Sequence, residues 1–223
     1  MSKKLFAQAL IKFLLGVILV GLLVFVPAGT PDYPNGWIFM GVLFLPMLLV
    51  GVVLLAKKPE LLAKRLQAKE AQRKQNIVVK LSGLMFVAGF VAAGLDFRFG
   101  WCPLPMGVSV GAAAVFLGAY LLYAEVLREN AYLSRTIRVE EGQKVVDTGL
   151  YGIIRHPMYG ATVLLFLTIP LILGSLWSFV IFLAYPFIIA VRIREEEALL
   201  EKELDGYRAY KEKVKYRLIP FVW

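Results

Sequence analysis

The residues best equipped for chemistry lie in one stretch, Asp147 to Gly160, which holds Gly149, Gly152 and Gly160, Tyr151 and Tyr159, Arg155, and the only histidine of the chain, His156. Pro157 keeps the residue before it out of helical geometry and is itself favoured at the first position of a helix. His156 is therefore expected to cap a helix that begins at Pro157. A helix start presents free N–H groups and a partial positive charge, which suits a carboxylate or a phosphate. The glycines allow a turn with positive φ or a close backbone approach to a ligand. Arg and His at the edge of an apolar segment are costly without a partner, which favours a functional reading over a plain connecting loop. A second polar cluster, Arg192, Arg194, Glu195 and Glu196, follows the next apolar run. If that run is a hairpin, the two clusters meet at one membrane surface. Charges of both signs there could hold a zwitterionic ligand, cations taking its acid and carboxylates its ammonium or hydroxyls. Taken alone, the exit cluster reads as a solvated helix flanking the membrane.

The elements that must position these residues are apolar helices. The chain has 223 residues, 59% of them hydrophobic, and a mean hydropathy of +0.70. Several apolar runs are close to twenty residues long, which indicates a polytopic helical membrane protein and not a soluble domain. The predicted fold is all-α: a membrane helix bundle of four crossings (5–28, 37–56, 77–97 and 106–127), a C-terminal helical hairpin and a cytoplasmic amphipathic helix. Residues 1–223 are expected to form a single integral membrane domain, with the candidate catalytic residues in its second half, 125–223. The run 158–193 exceeds one helix and contains Pro170 and Gly174–Ser175, so two helices with a break near Gly174 are expected. The charged helix after it, opened by Arg192, places Leu200, Leu204, Tyr207 and Val214 near one face. Small residues at four-residue spacing, Gly89 with Ala93, Gly107 with Gly111 and Ala114 with Gly118, permit close helix packing in lipid.

The net charge of +9 comes from basic residues beside apolar runs, which fits anionic lipid headgroups and topology and not nucleic acid. Between 57 and 76, seven cations (Lys57, Lys58, Lys64, Arg65, Lys69, Arg73, Lys74) face Glu60 and Glu70. The positive-inside rule makes this loop cytoplasmic, and Leu61, Leu62 and Leu66 give it a face that could lie on the membrane. Four crossings return the polar stretch 125–155 to the same side, and with it the motif. One Cys and one His exclude an internal disulfide and a metal cage built from such ligands. No heptad or repeat signals an oligomer.

Gly149-Leu-Tyr-Gly-Ile-Ile-Arg-His-Pro-Met-Tyr-Gly160, an apolar hairpin, Arg194-Glu-Glu, the pair Tyr207 and Tyr210, and Leu218-Ile-Pro220 resemble the isoprenylcysteine carboxyl methyltransferase family, whose pattern related phospholipid methyltransferases share. The resemblance spans about 125 to the C-terminus. It implies an integral membrane enzyme that binds S-adenosylmethionine in a cytoplasm-facing pocket without a Rossmann domain. Tyr151, Arg155, His156, Pro157 and Tyr159 would then line the cofactor site, Gly160 would allow close approach, and Glu195 and Glu196 would complete it from the exit helix. Arg192 or Arg194 would orient the methyl acceptor, the carboxylate of an isoprenylcysteine-like or other amphiphilic acid; for a phospholipid amine, Glu195 or Glu196 would serve as base. Tyr120, Tyr123 and Tyr132 would lie near the acceptor's lateral route between the hairpin and the fourth run. An NADPH-dependent membrane reductase of the sterol type is the alternative from another class. Where many relatives have Phe-Gly before the tyrosine pair, this chain has Leu204-Asp-Gly206, so a locally different turn is expected there.

Overall fold

The computed structural model describes residues 3–66, 73–130, 132, 139 and 141–223. Lys69 and Glu70 of the basic loop, and Arg135, Arg138 and Glu140 of the polar stretch, lie outside the described residues. The elements run α1 (Lys3–Ala28), α2 (Pro34–Lys57), α3 (Pro59–Leu66), α4 (Arg73–Phe99), α5 (Met106–Glu129), a 3-10 turn (Gly149–Gly152), α6 (Pro157–Ile172), α7 (Leu176–Phe182), α8 (Ala184–Glu203) and α9 (Tyr207–Lys213). Among the described residues there is no strand, only an isolated bridge between Pro103 and Ser175. Five segments are long and apolar enough to cross a membrane: Lys4–Ala28, Pro34–Lys57, Ile77–Phe99, Met106–Glu129 and Leu176–Glu203. The protein is an all-α multi-pass membrane bundle.

The hairpin breaks where Pro and Gly dictate. Gly174 has φ +73°, and a Cβ there would come 2.8 Å from the Asn35 amide, so the turn is both left-handed and crowded. Ser175 then caps α7 by accepting from the Ser178 N–H. The second arm is itself interrupted at Leu183, which the sequence reading did not anticipate. Pro186 explains it: proline cannot donate to the Phe182 carbonyl, but at the third position of α8 its missing N–H costs nothing. The first arm, α6, has 16 residues and rises about 24 Å at 1.5 Å per residue, short of the roughly 30 Å hydrocarbon core. Its far end is tied down by Tyr33 Oη donating to the Leu173 carbonyl and by Asn35 Nδ2 donating to the Ile172 carbonyl at 3.1 Å.

Helix packing follows small residues, though only some of those singled out by spacing. A Cβ on Gly89 would sit 2.3 Å from the Phe182 ring, and one on Gly94 would sit 2.8 Å from the Val24 carbonyl, so α4 rests closely on α7 and α1. Gly107, Gly111 and Gly118 meet nothing within 4 Å. They lie on faces of α5 turned away from its neighbours, because it is Ser109, Ala112, Ala113, Phe116 and Ala119 that α5 buries. α3 keeps the expected amphipathic character, burying Leu61 and Leu62, while Lys12 Nζ donates to the Leu66 carbonyl at its end. The charged C-terminal helix is two helices: α8 stops at Glu203, Gly206 takes φ +82°, and α9 follows. Leu204, Tyr207, Tyr210 and Val214 still gather, as a small cluster with Val139, Val145 and Leu200.

Candidate functional site

The motif folds from its glycines and its proline. Gly149 has φ +53°, and a Cβ there would fall 1.5 Å from Glu129 Oε1. Only glycine lets the chain pass over that carboxylate, which closes on the turn by accepting from the Leu150 N–H at 3.1 Å. The end of α5 is thereby fastened to the 3-10 turn that carries Tyr151. His156 caps α6 with φ −126° and no side-chain cap bond, leaving its ring to face elsewhere. The backbone between is paired like a short ladder: Arg155 N donates to the Tyr216 carbonyl and His156 N to the Arg217 carbonyl, both at 2.9 Å.

Three groups converge on one buried carboxylate, Glu197, which the sequence reading did not single out. Arg155 Nε donates to Glu197 Oε1 at 2.7 Å, His156 Nε2 lies 3.2 Å from the same oxygen, and Arg217 Nε donates to Oε2 at 2.8 Å. Arg155 also donates through Nη1 to the Val214 carbonyl at 2.6 Å, joining the C-terminal segment to the same hub. Side chains of Arg155 and Glu197 are 4% and 3% exposed, so this is a buried ion network and not a surface pair. It ties the motif, α8 and the segment after α9 together. Arg155→Ala would remove one of the two arginines that hold Glu197 and cost stability, so it is a poor test of ligand contact.

Beside this hub lies a second relay. Arg192 Nε donates to Tyr159 Oη at 2.9 Å, and Tyr159 Oη donates to Glu196 Oε2. Arg192 and Glu196 are one helical turn apart and share a face of α8. Both border a cleft, open on one side, with Tyr159, Tyr151, Arg155, His156, Met158, Asn130, Tyr132, Lys144, Leu200, Tyr207 and Tyr210 among its walls. Tyr210 Oη donates to the Tyr151 carbonyl at 2.7 Å, fixing two of the aromatic walls against each other. Burial pushes the phenols of Tyr151, Tyr207 and Tyr210 well above their ordinary range, so each is a neutral donor at physiological pH.

Of the residues singled out from sequence, Tyr151, Arg155, His156, Tyr159, Arg192 and Glu196 come together on this cleft. Pro157 is buried behind it, and Gly160 lies behind it near Ile154 and Leu218. Glu195 is half-buried outside the cleft wall, and Arg194 points to the exterior. Tyr132 borders the cleft, whereas Tyr120 Oη donates to the Leu43 carbonyl and so ties α5 to α2. Glu197, Arg217, Tyr207 and Tyr210 are the residues sequence reasoning left without a role in the site. Among the described residues no group of His, Cys, Asp and Glu could hold a metal ion.

No curated protein matches the chain. Residues 106–205, from the first residue of α5 to just beyond α8, match the model of the phospholipid methyltransferase family. That segment contains the motif, the hairpin, Arg192, Glu196 and Glu197, so over the part of the chain that carries the candidate site, in a bundle of membrane-length helices, the protein is similar to the phospholipid methyltransferases.

Proposed function

We propose that the methyl donor is S-adenosylmethionine, bound in the cleft at the cytoplasmic face, and that the acceptor is the carboxylate of an isoprenylcysteine-like or other amphiphilic acid. The observation that carries this reading is the Arg192–Tyr159–Glu196 relay on a cleft at the end of a membrane bundle. The cytoplasmic side is supported by Lys57 and Lys58 at the end of α2, which the alternation of the helices puts on the same side as the end of α5.

The cleft suits a nucleoside cofactor that is also zwitterionic. Tyr151, Tyr207 and Tyr210 offer aromatic walls, Glu196 a carboxylate and Lys144 and Arg192 cations. Tyr207 Oη is buried with no hydrogen-bond partner among the described residues, and an unmet buried donor costs about 1–3 kcal/mol, which a ligand would relieve. When bound, the cofactor supplies an electrophilic methyl group on a sulfonium. The protein's residues do the rest. Arg192, its guanidinium plane held by Tyr159, aligns an ionised acceptor carboxylate; such a nucleophile needs no base, only desolvation and orientation. The acceptor's apolar tail would stay in the bilayer while its carboxylate reaches the cleft. α5 and α8 both pack on α6 and barely on each other, which suits a lateral approach between them.

A phospholipid amine is the second reading, favoured by the family description and by Glu196, which borders the cleft and could take the proton of an ammonium acceptor. Purified protein, methyl-labelled S-adenosylmethionine and a membrane lipid extract separate the two. Label in the organic phase that base releases as methanol establishes a carboxyl ester; label that survives base establishes an amine product. A protein that neither transfers label nor binds S-adenosylhomocysteine overturns the reading.

A further inference from the structure

We infer that Tyr207 is a cofactor-contacting residue whose hydroxyl donates to an uncharged acceptor on the nucleoside part of the ligand, a ribose hydroxyl or a ring nitrogen. The inference rests on the S-adenosylmethionine reading above and adds a residue and an orientation to it.

Three observations converge. Tyr207 is 4% exposed, yet its Oη is one of only two buried side-chain oxygens without a partner among the described residues. The same residue borders the cleft. Its ring is already accounted for: it packs with Leu204, Tyr210 and Val214, and its centroid lies 5.7 Å from that of Tyr210. A phenylalanine would serve that packing equally well, and without a stranded hydroxyl. In the free protein the hydroxyl is therefore a liability of the kind retained where a ligand satisfies it. Tyr210, its neighbour, makes the contrast, since its hydroxyl is committed to the Tyr151 carbonyl.

The charge around the hydroxyl selects the kind of acceptor. Burial first, then the negative charges of Glu197 and Glu196, hold the Tyr207 phenol neutral, with Arg155 opposing them. Arg155 is already bonded to Glu197, so the field at Oη disfavours a ligand carboxylate and leaves a neutral oxygen or nitrogen as the better partner. The carboxylate of the ligand belongs at the other side of the cleft, toward Lys144 and Arg192.

The test is calorimetry of full-length wild-type, Tyr207→Phe and Tyr210→Phe proteins in detergent or nanodiscs, with S-adenosylhomocysteine and with 5′-deoxy-5′-methylthioadenosine, which lacks the amino-acid part. Melting temperatures without ligand are measured in parallel. Tyr207→Phe is expected to weaken both ligands by a similar factor, roughly tenfold, the size of one lost hydrogen bond to a polar partner. Its ligand-free melting temperature should equal or exceed that of the wild type, whereas Tyr210→Phe should melt lower. Unchanged affinity for both ligands overturns the inference. So does a loss confined to S-adenosylhomocysteine, which would put the acceptor on the amino-acid side, and so does a lower melting temperature of Tyr207→Phe with affinity intact. If the wild-type protein binds neither ligand, it is the cofactor reading that fails, and the inference falls with it.

Discussion

The two ends of the hairpin are held by opposite kinds of polar chemistry. At the far end, where α6 turns into α7, the fastening is consumed within the protein. Asp96, 1% exposed, accepts from the Cys102 N–H at 2.7 Å and from Ser175 Oγ. Asn35 Nδ2 donates to Ser109 Oγ at 2.6 Å, and Ser109 Oγ donates to the Leu171 carbonyl at 3.1 Å. Ser178 Oγ is the exception, buried without a partner among the described residues, but it lies at this closed end. At the near end the Glu197 hub is equally closed, yet the relay of Arg192, Tyr159 and Glu196 borders an open cleft, and so does Tyr207, whose buried hydroxyl has no partner among the described residues. Polar groups that satisfy one another make a joint; polar groups left facing a cleft make a site. The near end contains both, and the joint holds the site.

Breaking the hub should have the largest effect. Glu197→Gln leaves Arg155 and Arg217 without their shared counter-charge in a buried setting, and removing one member of such a network costs about 3–5 kcal/mol. Thermal unfolding should show a large drop in melting temperature together with loss of ligand binding. A variant as stable as wild type would mean that the hub is no joint. Next comes Gly149→Ala, which places a Cβ against the Glu129 carboxylate at a positive φ. The expected outcome is loss of S-adenosylhomocysteine affinity with a melting temperature lowered less than by Glu197→Gln, because the turn shifts while the bundle stays packed. At the far end, Asp96→Ala strands the Cys102 N–H and the Ser175 hydroxyl, at about 1–3 kcal/mol. Its affinity for S-adenosylhomocysteine, measured well below the melting point, should be that of the wild type. A changed affinity would erase the distinction between joint and site.

What could be read in advance was set by local chemistry. Pro157 restricts its own φ and the residue before it, so the cap at His156 and the start of α6 followed from two residues, and Gly174 marked the hairpin turn in the same way. The exit cluster was harder because Glu195, Glu196 and Glu197 are consecutive, and successive helical residues point about 100° apart. Spacing alone could have ranked Arg192 with Glu196 as one turn apart, and so above Arg194 and Glu195. Nothing local could have given Glu197 its role, because its partners Arg155, His156 and Arg217 come from distant segments. The same holds for Tyr207, whose significance is a missing partner. Four-residue spacing of small residues failed at Gly107, Gly111 and Gly118 because it states only that approach is allowed, not which face a neighbour occupies.

The smallest effect is expected at the rim of the near end, where charge pairing is present but exposed. Lys213 Nζ donates to Asp147 Oδ2 at 2.8 Å, with side chains 67% and 44% exposed. The ammonium, by hydrogen bond first and charge second, holds the Asp147 carboxyl below its ordinary range. A carboxyl whose folded-state pKa is depressed contributes stability above its unfolded pKa, and loses it as pH falls through the folded value. Lys213→Ala should therefore leave the melting temperature at neutral pH within scatter of the wild type, since water and salt screen such a pair. Any difference should appear only in low salt and should vanish on acidification. S-adenosylhomocysteine affinity should be unchanged, because the pair anchors the outer edge of α9 and not the cleft wall. If Lys213→Ala instead weakens the ligand as much as Tyr207→Phe does, the rim belongs to the site, and the line between joint and site must be redrawn to include Asp147, the first residue of the motif.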